Sequence, residues 1–239
     1  MTNLLTRKLE LFGPLPEDDR SFLDGLISDP VELRAGQDVI GEGQRSDDVH
    51  LVVSGIACRY KILVDGSRQI MAFLVPGDMC DPHVFILKAM DHSVGALSTC
   101  GIVSLSRPKV LEMFDRPAIA RALWWSTLVD EATLREWLVN LGQRDAKERL
   151  AHLLCELHAR LASIGLTDDG KFSFPVTQPD MAAAMGISDV HVNRALQALR
   201  RDGLVTVGRK EVVILDVAGL KAMSQFDPNY LHLRGGRPS

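Results

Sequence analysis

Cysteine is scarce in this chain of 239 residues, with four at Cys58, Cys80, Cys100 and Cys155. No two of them form a Cys-x-x-Cys pair and no four cluster, so neither a tetrahedral structural zinc site nor a thiolate-held iron–sulfur cluster can be read. Four buried thiols are the expectation. A run of about 18 apolar residues is also missing, and the opening MTNLLTRKLELFGPLPEDDR has no apolar core followed by small residues. Neither a membrane span nor an export signal is therefore read, and the cytoplasm is the expected compartment. The chain lacks a basic excess as well: 27 Lys and Arg stand against 31 Asp and Glu, a net charge of -4. That argues against polyanion binding by the whole surface but not by one local basic face.

With 46% hydrophobic residues, the chain can build one large or two modest domains with real cores. From Val31 to about Ser106 turn signals recur at short intervals: RAGQ, GEGQ, Ser54-Gly55, Asp65-Gly66 and Pro76-Gly77-Asp78. Between them lie β-type stretches such as VHLVVSGIACRYKILV and RQIMAFLV. Asp-Gly between two such runs predicts a hairpin with a type I′ turn, whose two central residues both need positive φ. Many short strands with regular turns imply a β-sandwich or roll.

From Arg116 to about Leu141 the spacing becomes helical, with Pro117 suited to a first turn. Ile119, Leu123, Leu134, Trp137 and Leu141 share one stripe, interrupted by Ser126 and Asp130. A helix of some 25 residues is about 37 Å long, more than a small domain needs to cover its own core. It is expected to pack against a second copy of itself. After Gly142, DAKERLAHLLCELHARLASIG repeats leucine at helical spacing and opens a C-terminal domain.

The segment VTQPDMAAAMGISDVHVNRALQALRRDGLVTVGRKEVVIL then holds two short helices around a lone glycine. Thr177 is placed to cap Gln178–Met185 and Ser188 to cap Asp189 to about Arg201, with Gly186 at the bend. Val192, Ala195, Leu196 and Leu199 face inward. This is a helix-turn-helix pattern, and its second helix presents Asp189, Val190, Asn193 and Arg194 outward near its N-terminus, where a groove-inserted helix meets base edges. Arg194 can fork onto guanine O6 and N7, and Asn193 can pair with adenine or reach a phosphate. Arg200, Arg201, Arg209 and Lys210 lie at the helix end and on a hairpin wing suited to phosphate contact. The net charge between Gln178 and Val213 is only +1, so a protein-interaction module is the competing reading.

Over Leu11 to Leu215 the chain resembles the Crp-Fnr family of dimeric transcription regulators. The likeness is carried by GEGQRSDDVHLVVSG, DGSRQI, the Pro-Gly-Asp turn, DAKERLAHLL and, most specifically, GISDVHVNRALQALRRDGL. It implies an α+β chain: a cyclic-nucleotide-binding-like jelly roll as effector domain over residues 1–106, a long dimerisation helix and hinge over 107–143, and a winged helix-turn-helix over 144–239. It matches Arg194 to the family's guanine reader, and Ser188, Thr177 and Gln178 to positions on the DNA backbone, with His191 beside them. The expected partners are a near-palindromic duplex, a second subunit and, for an activator, RNA polymerase.

Two departures carry information. Val190 stands where the family commonly has a Glu that accepts from cytosine N4, so the half-site should differ at one base pair. In cyclic-nucleotide members a Gly-Glu pair, an Arg-Ser pair and a Thr-Ser pair hold the ligand. Here those positions carry Asp81-Pro82, His92-Ser93 and Leu134-Arg135. Loss of the phosphate's arginine removes a charge-assisted bond of about 2 kcal/mol, so cyclic AMP is not the expected effector. Cys80 and His83 occupy the segment where haem-containing relatives carry their ligands, which keeps a haem- or metal-dependent gas or redox sensor as the alternative, although two ligands do not make a metal site. An enzyme is not expected: around GQRSDDVHLVVSG only His50 is present, without the His-x-His and following Glu that a cupin metal cage needs.

Overall fold

The computed structural model describes residues 3–82, 89–208 and 210–233. The chain forms two compact units, one running to Asp130 and one from Glu131 to Leu233.

In the first unit, helices α1 (Leu4–Glu10) and α2 (Glu17–Leu26) precede seven strands: β1 (Val31–Leu33), β2 (Asp38–Ile40), β3 (Asp48–Ser54), β4 (Ala57–Ile62), β5 (Arg68–Leu74), β6 (Ser93–Ala96) and β7 (Cys100–Ser106). They pair antiparallel into two sheets, ordered β1-β7-β3 and β2-β6-β4-β5. Alternation along the strands drives this, because each sheet buries one face: Val49 and Leu51 of β3 and their partners Leu105 and Val103 of β7 go into a core that also takes Leu5, Leu9 and Leu23 from the two helices.

The β4–β5 hairpin forms where Asp65-Gly66 announces it, but the turn is not type I′. Only Gly66 has positive φ, at 82°. The Gly66 N–H donates to Leu63 O at 2.9 Å and the Leu63 N–H to Ser67 O at 2.8 Å. This is the three-residue connection in which an ordinary turn is followed by a left-handed glycine. In that connection Asp65 sits in the ordinary turn and needs no positive φ, and its carboxylate takes the Ser67 N–H at 2.9 Å. Gly55, between β3 and β4, is required on two counts: its φ is 79°, and a Cβ there would lie 2.2 Å from Thr99 O.

Helix α3 (Arg107–Asp115) leads into α4 (Pro117–Gln143). The stripe read from sequence as an intersubunit seam is mostly consumed within the chain. Ile119 and Leu123 are buried in the first unit and Trp137 in the second. The opposite face is the open one: Trp124 is 68% exposed and Leu138 70%, with Leu128 and Val139 about half exposed. Sequence periodicity located an apolar stripe correctly but could not tell which of two apolar faces the chain covers itself.

The second unit continues with α5 (Ala146–Ser163), β8 (Lys171–Ser173), α6 (Gln178–Met185), α7 (Asp189–Arg201), β9 (Val205–Val207), β10 (Glu211–Ile214), α8 (Val217–Ser224) and a 3₁₀ turn, Pro228–Leu231. Asp145 starts α5 with a capping box: its carboxylate accepts from Lys147 N and Glu148 N, while Glu148 takes the Asp145 N–H at 3.0 Å. The three strands pair antiparallel in the order β8-β10-β9. Leu150, Leu154, Leu157, Val192 and Leu199, from α5 and α7, are buried in the core of this unit.

Candidate nucleic-acid interface

Helices α6 and α7 begin and end at residues legible in the sequence. Thr177 caps α6: its hydroxyl accepts from Asp180 N at 3.3 Å and donates to Asp180 Oδ2 at 2.5 Å, while the Thr177 N–H donates to the same carboxylate. Gly186 ends the helix in the left-handed region, φ 62°, and the N–H groups of Gly186 and Ile187 both reach Ala182 O. This closure costs a glycine little and redirects the chain into α7. Val192, Ala195, Leu196 and Leu199 then face inward on α7, as expected.

The outer face of α7 carries Asp189, Val190, Asn193 and Arg194, all exposed. One turn further along the same face stands Gln197, also exposed, which the sequence reading omitted because it stopped at the first turns; its spacing of three from Arg194 was the available signal. The Asn193 amide donates from Nδ2 to Gln178 Oε1 at 3.4 Å, joining the recognition helix to the first residue of α6.

Ser188 occupies the N-cap position of α7, but its side chain makes no cap hydrogen bond. Its hydroxyl pairs with His191 Nδ1 at 2.8 Å instead, which corrects the expected capping role and fixes the exposed imidazole against the hydroxyl. Arg200 is turned back onto the wing, where Nη2 donates to Val207 O at 2.6 Å. Arg201 and Lys210 are exposed. Arg209 lies outside the described residues. Lys171 on β8 pairs with Glu211 on β10 at 2.8 Å, so these two charges at the base of the wing offset each other.

A further arginine supports the interface from behind. Arg149 of α5 donates to the carbonyls of Leu141 and Arg144, both at 2.9 Å, and to that of Met185. Burial lowers its pKa against the opposing pull of Asp145. Bonds from a side chain to distant carbonyls leave no periodic trace in a sequence, which is why this residue was missed.

The residues expected around an effector are placed as follows. Cys80 is fully buried, and burial with the adjacent Asp81 charge pushes its thiol up strongly. Asp81 is buried too, and neither carboxylate oxygen makes a hydrogen bond of ordinary geometry among the described residues. Burial pushes its carboxyl up to about 6, against the pull of the His50 N–H and the Arg59 guanidinium. His92 Nδ1 lies 2.6 Å from Asp91 Oδ1, and the contact lowers the Asp91 carboxyl. Ser93 Oγ accepts from Glu42 N at 2.9 Å. In the second unit Leu134 is exposed, and Arg135 pairs with Glu131 at 2.7 Å. His83 lies outside the described residues.

Among the described residues no group of three or more His, Cys, Asp or Glu is placed to hold a metal ion. The sequence reading also overlooked Arg59. This β4 residue donates from Nε to Cys80 O at 2.9 Å and from Nη2 to Met79 O at 3.3 Å, and both terminal nitrogens reach Asp130 Oδ2 at 3.2 Å. A permanent cation is therefore present beside Cys80 and Asp81, contributed by a strand position that hydrophobic patterning cannot single out.

No helix among the described residues is long and apolar enough to cross a membrane. Residues 30–117 match the family model described as a cyclic nucleotide-binding domain, and residues 148–223 the one described as a Crp-like helix-turn-helix domain. The chain is 32% identical over 192 residues to the transcriptional activator protein FnrL of Cereibacter sphaeroides, covering 78% of this chain and 77% of the relative. It is 26% identical to the nitrogen fixation regulation protein FixK of Azorhizobium caulinodans, covering 82% and 79%. The solved structure of FixK2 from Bradyrhizobium japonicum superposes with a TM-score of 0.71 at 26% identity, over 83% of this chain and 98% of that one. With identity of this order over more than three quarters of both chains, and with both domain types in the same order, the chain belongs to the Crp/FNR family of DNA-binding transcription regulators.

Proposed function

We propose that the protein acts as a cytoplasmic homodimer whose two α7 helices enter successive major grooves of a near-palindromic site, with Arg194, Asn193, Val190 and Asp189 at the base edges. The observation that carries this reading is the division of α7 into two faces. Four small or aliphatic side chains fix the helix to its own domain, and a polar face bearing an exposed arginine is left open near the N-terminus. Arg194 presents a fork that matches guanine O6 and N7, while Val190 offers only apolar contact, for instance to a thymine methyl. Thr177, Gln178, Ser188, His191, Arg201, Arg209 and Lys210 form the backbone-contacting set, and Arg200 supports the wing that carries it.

The exposed face of α4 supports the dimer. Trp124, Leu128 and Leu138 lie on one exposed side of α4, and the four-three spacing that joins them passes through the Glu131–Arg135 ion pair. RNA polymerase is the further partner if the bound protein activates. The effector is a species other than cyclic AMP, because the residues at the family's ribose- and phosphate-holding positions are Asp81-Pro82 and His92-Ser93.

The test is titration of duplex DNA at increasing salt. Specific binding of this kind loses affinity linearly in the logarithm of salt concentration, through counterion release. A flat response, or equal affinity for scrambled duplexes, would refute the reading. Addition of cyclic AMP should leave both the affinity and the melting temperature unchanged.

A further inference from the structure

Helix α4 ends at Gln143 and α6 at Met185. Each leaves its final carbonyls without intrahelical partners and carries the negative end of its dipole there. One guanidinium serves both ends. Arg149 projects from the first turns of α5, gives both protons of Nη2 to Leu141 O and Arg144 O, and gives Nη1 to Met185 O. Three bonds from one planar fork fix the relative placement of three carbonyls, which a lysine, a point charge on a flexible stem, does not do.

The linker it grips is held from the other side as well. Arg144 donates from Nε to Ser224 O at 3.1 Å and pairs with Glu136 at 2.8 Å. Met185 is the residue before Gly186, so its carbonyl marks the start of the turn into α7.

We propose that Arg149 is a positioning residue that fixes the helix-turn-helix to the end of α4 and thereby sets the spacing between half-sites that the protein accepts. The inference rests on the dimeric reading above, since half-site spacing has meaning only for paired recognition helices. Arg149 itself touches no base or phosphate in this reading. One inserted base pair moves the second half-site by about 3.4 Å and rotates it by about 35° about the duplex axis. A rigid connection between α4 and α7 penalises such an insertion, whereas a loosened one absorbs it.

The experiment uses the full chain and a duplex that the wild type selects from a random library. The same half-sites are then rebuilt with spacers shortened or lengthened by one and two base pairs. The wild type should lose about tenfold or more in affinity per altered base pair. Arg149→Met, which keeps the stem and removes the donors, should lose less than about threefold, and Arg149→Lys should fall between them. All three should bind an isolated half-site within about twofold of one another, because no base contact changes.

If Arg149→Met does not fold, Arg149→Lys carries the comparison. A variant that keeps the wild-type spacer profile, or that loses affinity equally for the isolated half-site, overturns the positioning role. A wild type indifferent to the spacer would instead bring down the paired-helix reading on which it rests.

Discussion

Trp137 of α4 donates its indole N–H to the carboxylate of Glu156 on α5 at 3.0 Å, and that carboxylate is fully buried. Tyr230, in the C-terminal 3₁₀ turn, donates its hydroxyl to the same oxygen at 3.0 Å, and Arg160 reaches the other at 3.3 Å. Burial pushes the Glu156 carboxyl up while these three donors pull it down. The segment after α8 thus closes over a buried acid, with Phe226 edge-on to His152 at 5.1 Å between ring centroids. Tyr230→Phe removes one donor from a buried carboxylate and should cost about 1 to 3 kcal/mol of stability in denaturant unfolding, with DNA affinity unchanged for the folded protein. A loss below about 0.3 kcal/mol would show that the hydroxyl adds nothing to the closure.

Asp81 predicts a pH dependence of the first unit. Its carboxyl titrates at about 6 when folded and at about 4 in an unfolded chain. Between those values the folded state holds a proton that the unfolded state has lost, so stability falls as pH rises through the window and levels off above about 6. Asp81→Asn removes the buried charge and should raise stability by about 3 kcal/mol at pH 8 and by little at pH 4. Thermal melts at the two pH values check it. A variant less stable than wild type at pH 8 would mean that the ionised carboxylate has a partner.

The wing separates two kinds of basic residue. Lys210 is exposed on it, so Lys210→Ala should reduce the slope of log affinity against log salt by about 1. The guanidinium of Arg200 is engaged with Val207 O, so Arg200→Ala should lower stability by about 1 kcal/mol and leave the salt slope near its wild-type value. Binding isotherms at several salt concentrations distinguish them, and a reversed pattern would exchange the two assignments.

Arg194→Ala should cost about 1 to 3 kcal/mol of affinity for the selected site and relax the preference at one base pair of each half-site. Competition with duplexes altered at single positions measures both effects. Unchanged selectivity would remove Arg194 from base reading.

The parts of the fold legible in the sequence were those governed by local periodicity and by residues with special backbone freedom. Thr177, Gly186 and the inward set Val192, Ala195, Leu196 and Leu199 gave α6 and α7 their limits because capping and the left-handed turn act within a few residues. The turn class at Asp65-Gly66 differs from the reading because a glycine serves a three-residue connection as well as a type I′ turn, and the dipeptide alone does not fix the loop length. The long helix α4 has two apolar faces, and only tertiary packing decides that Ile119 and Leu123 go inside while Trp124 and Leu138 stay out. Arg59, Arg149 and Tyr230 escaped notice for a common reason: each binds a carbonyl or a carboxylate 21 residues or more away along the chain, and no spacing rule encodes such a pair.

The most direct measurement is selection of bound duplexes from a random library by the purified protein, combined with the mass of the complex. Two copies of the chain should be found on one duplex, with enriched sequences forming a near-palindrome whose half-sites are centred about 10 base pairs apart and each contain an invariant guanine. A single copy per duplex, or enrichment of no sequence over the starting library, would contradict the account.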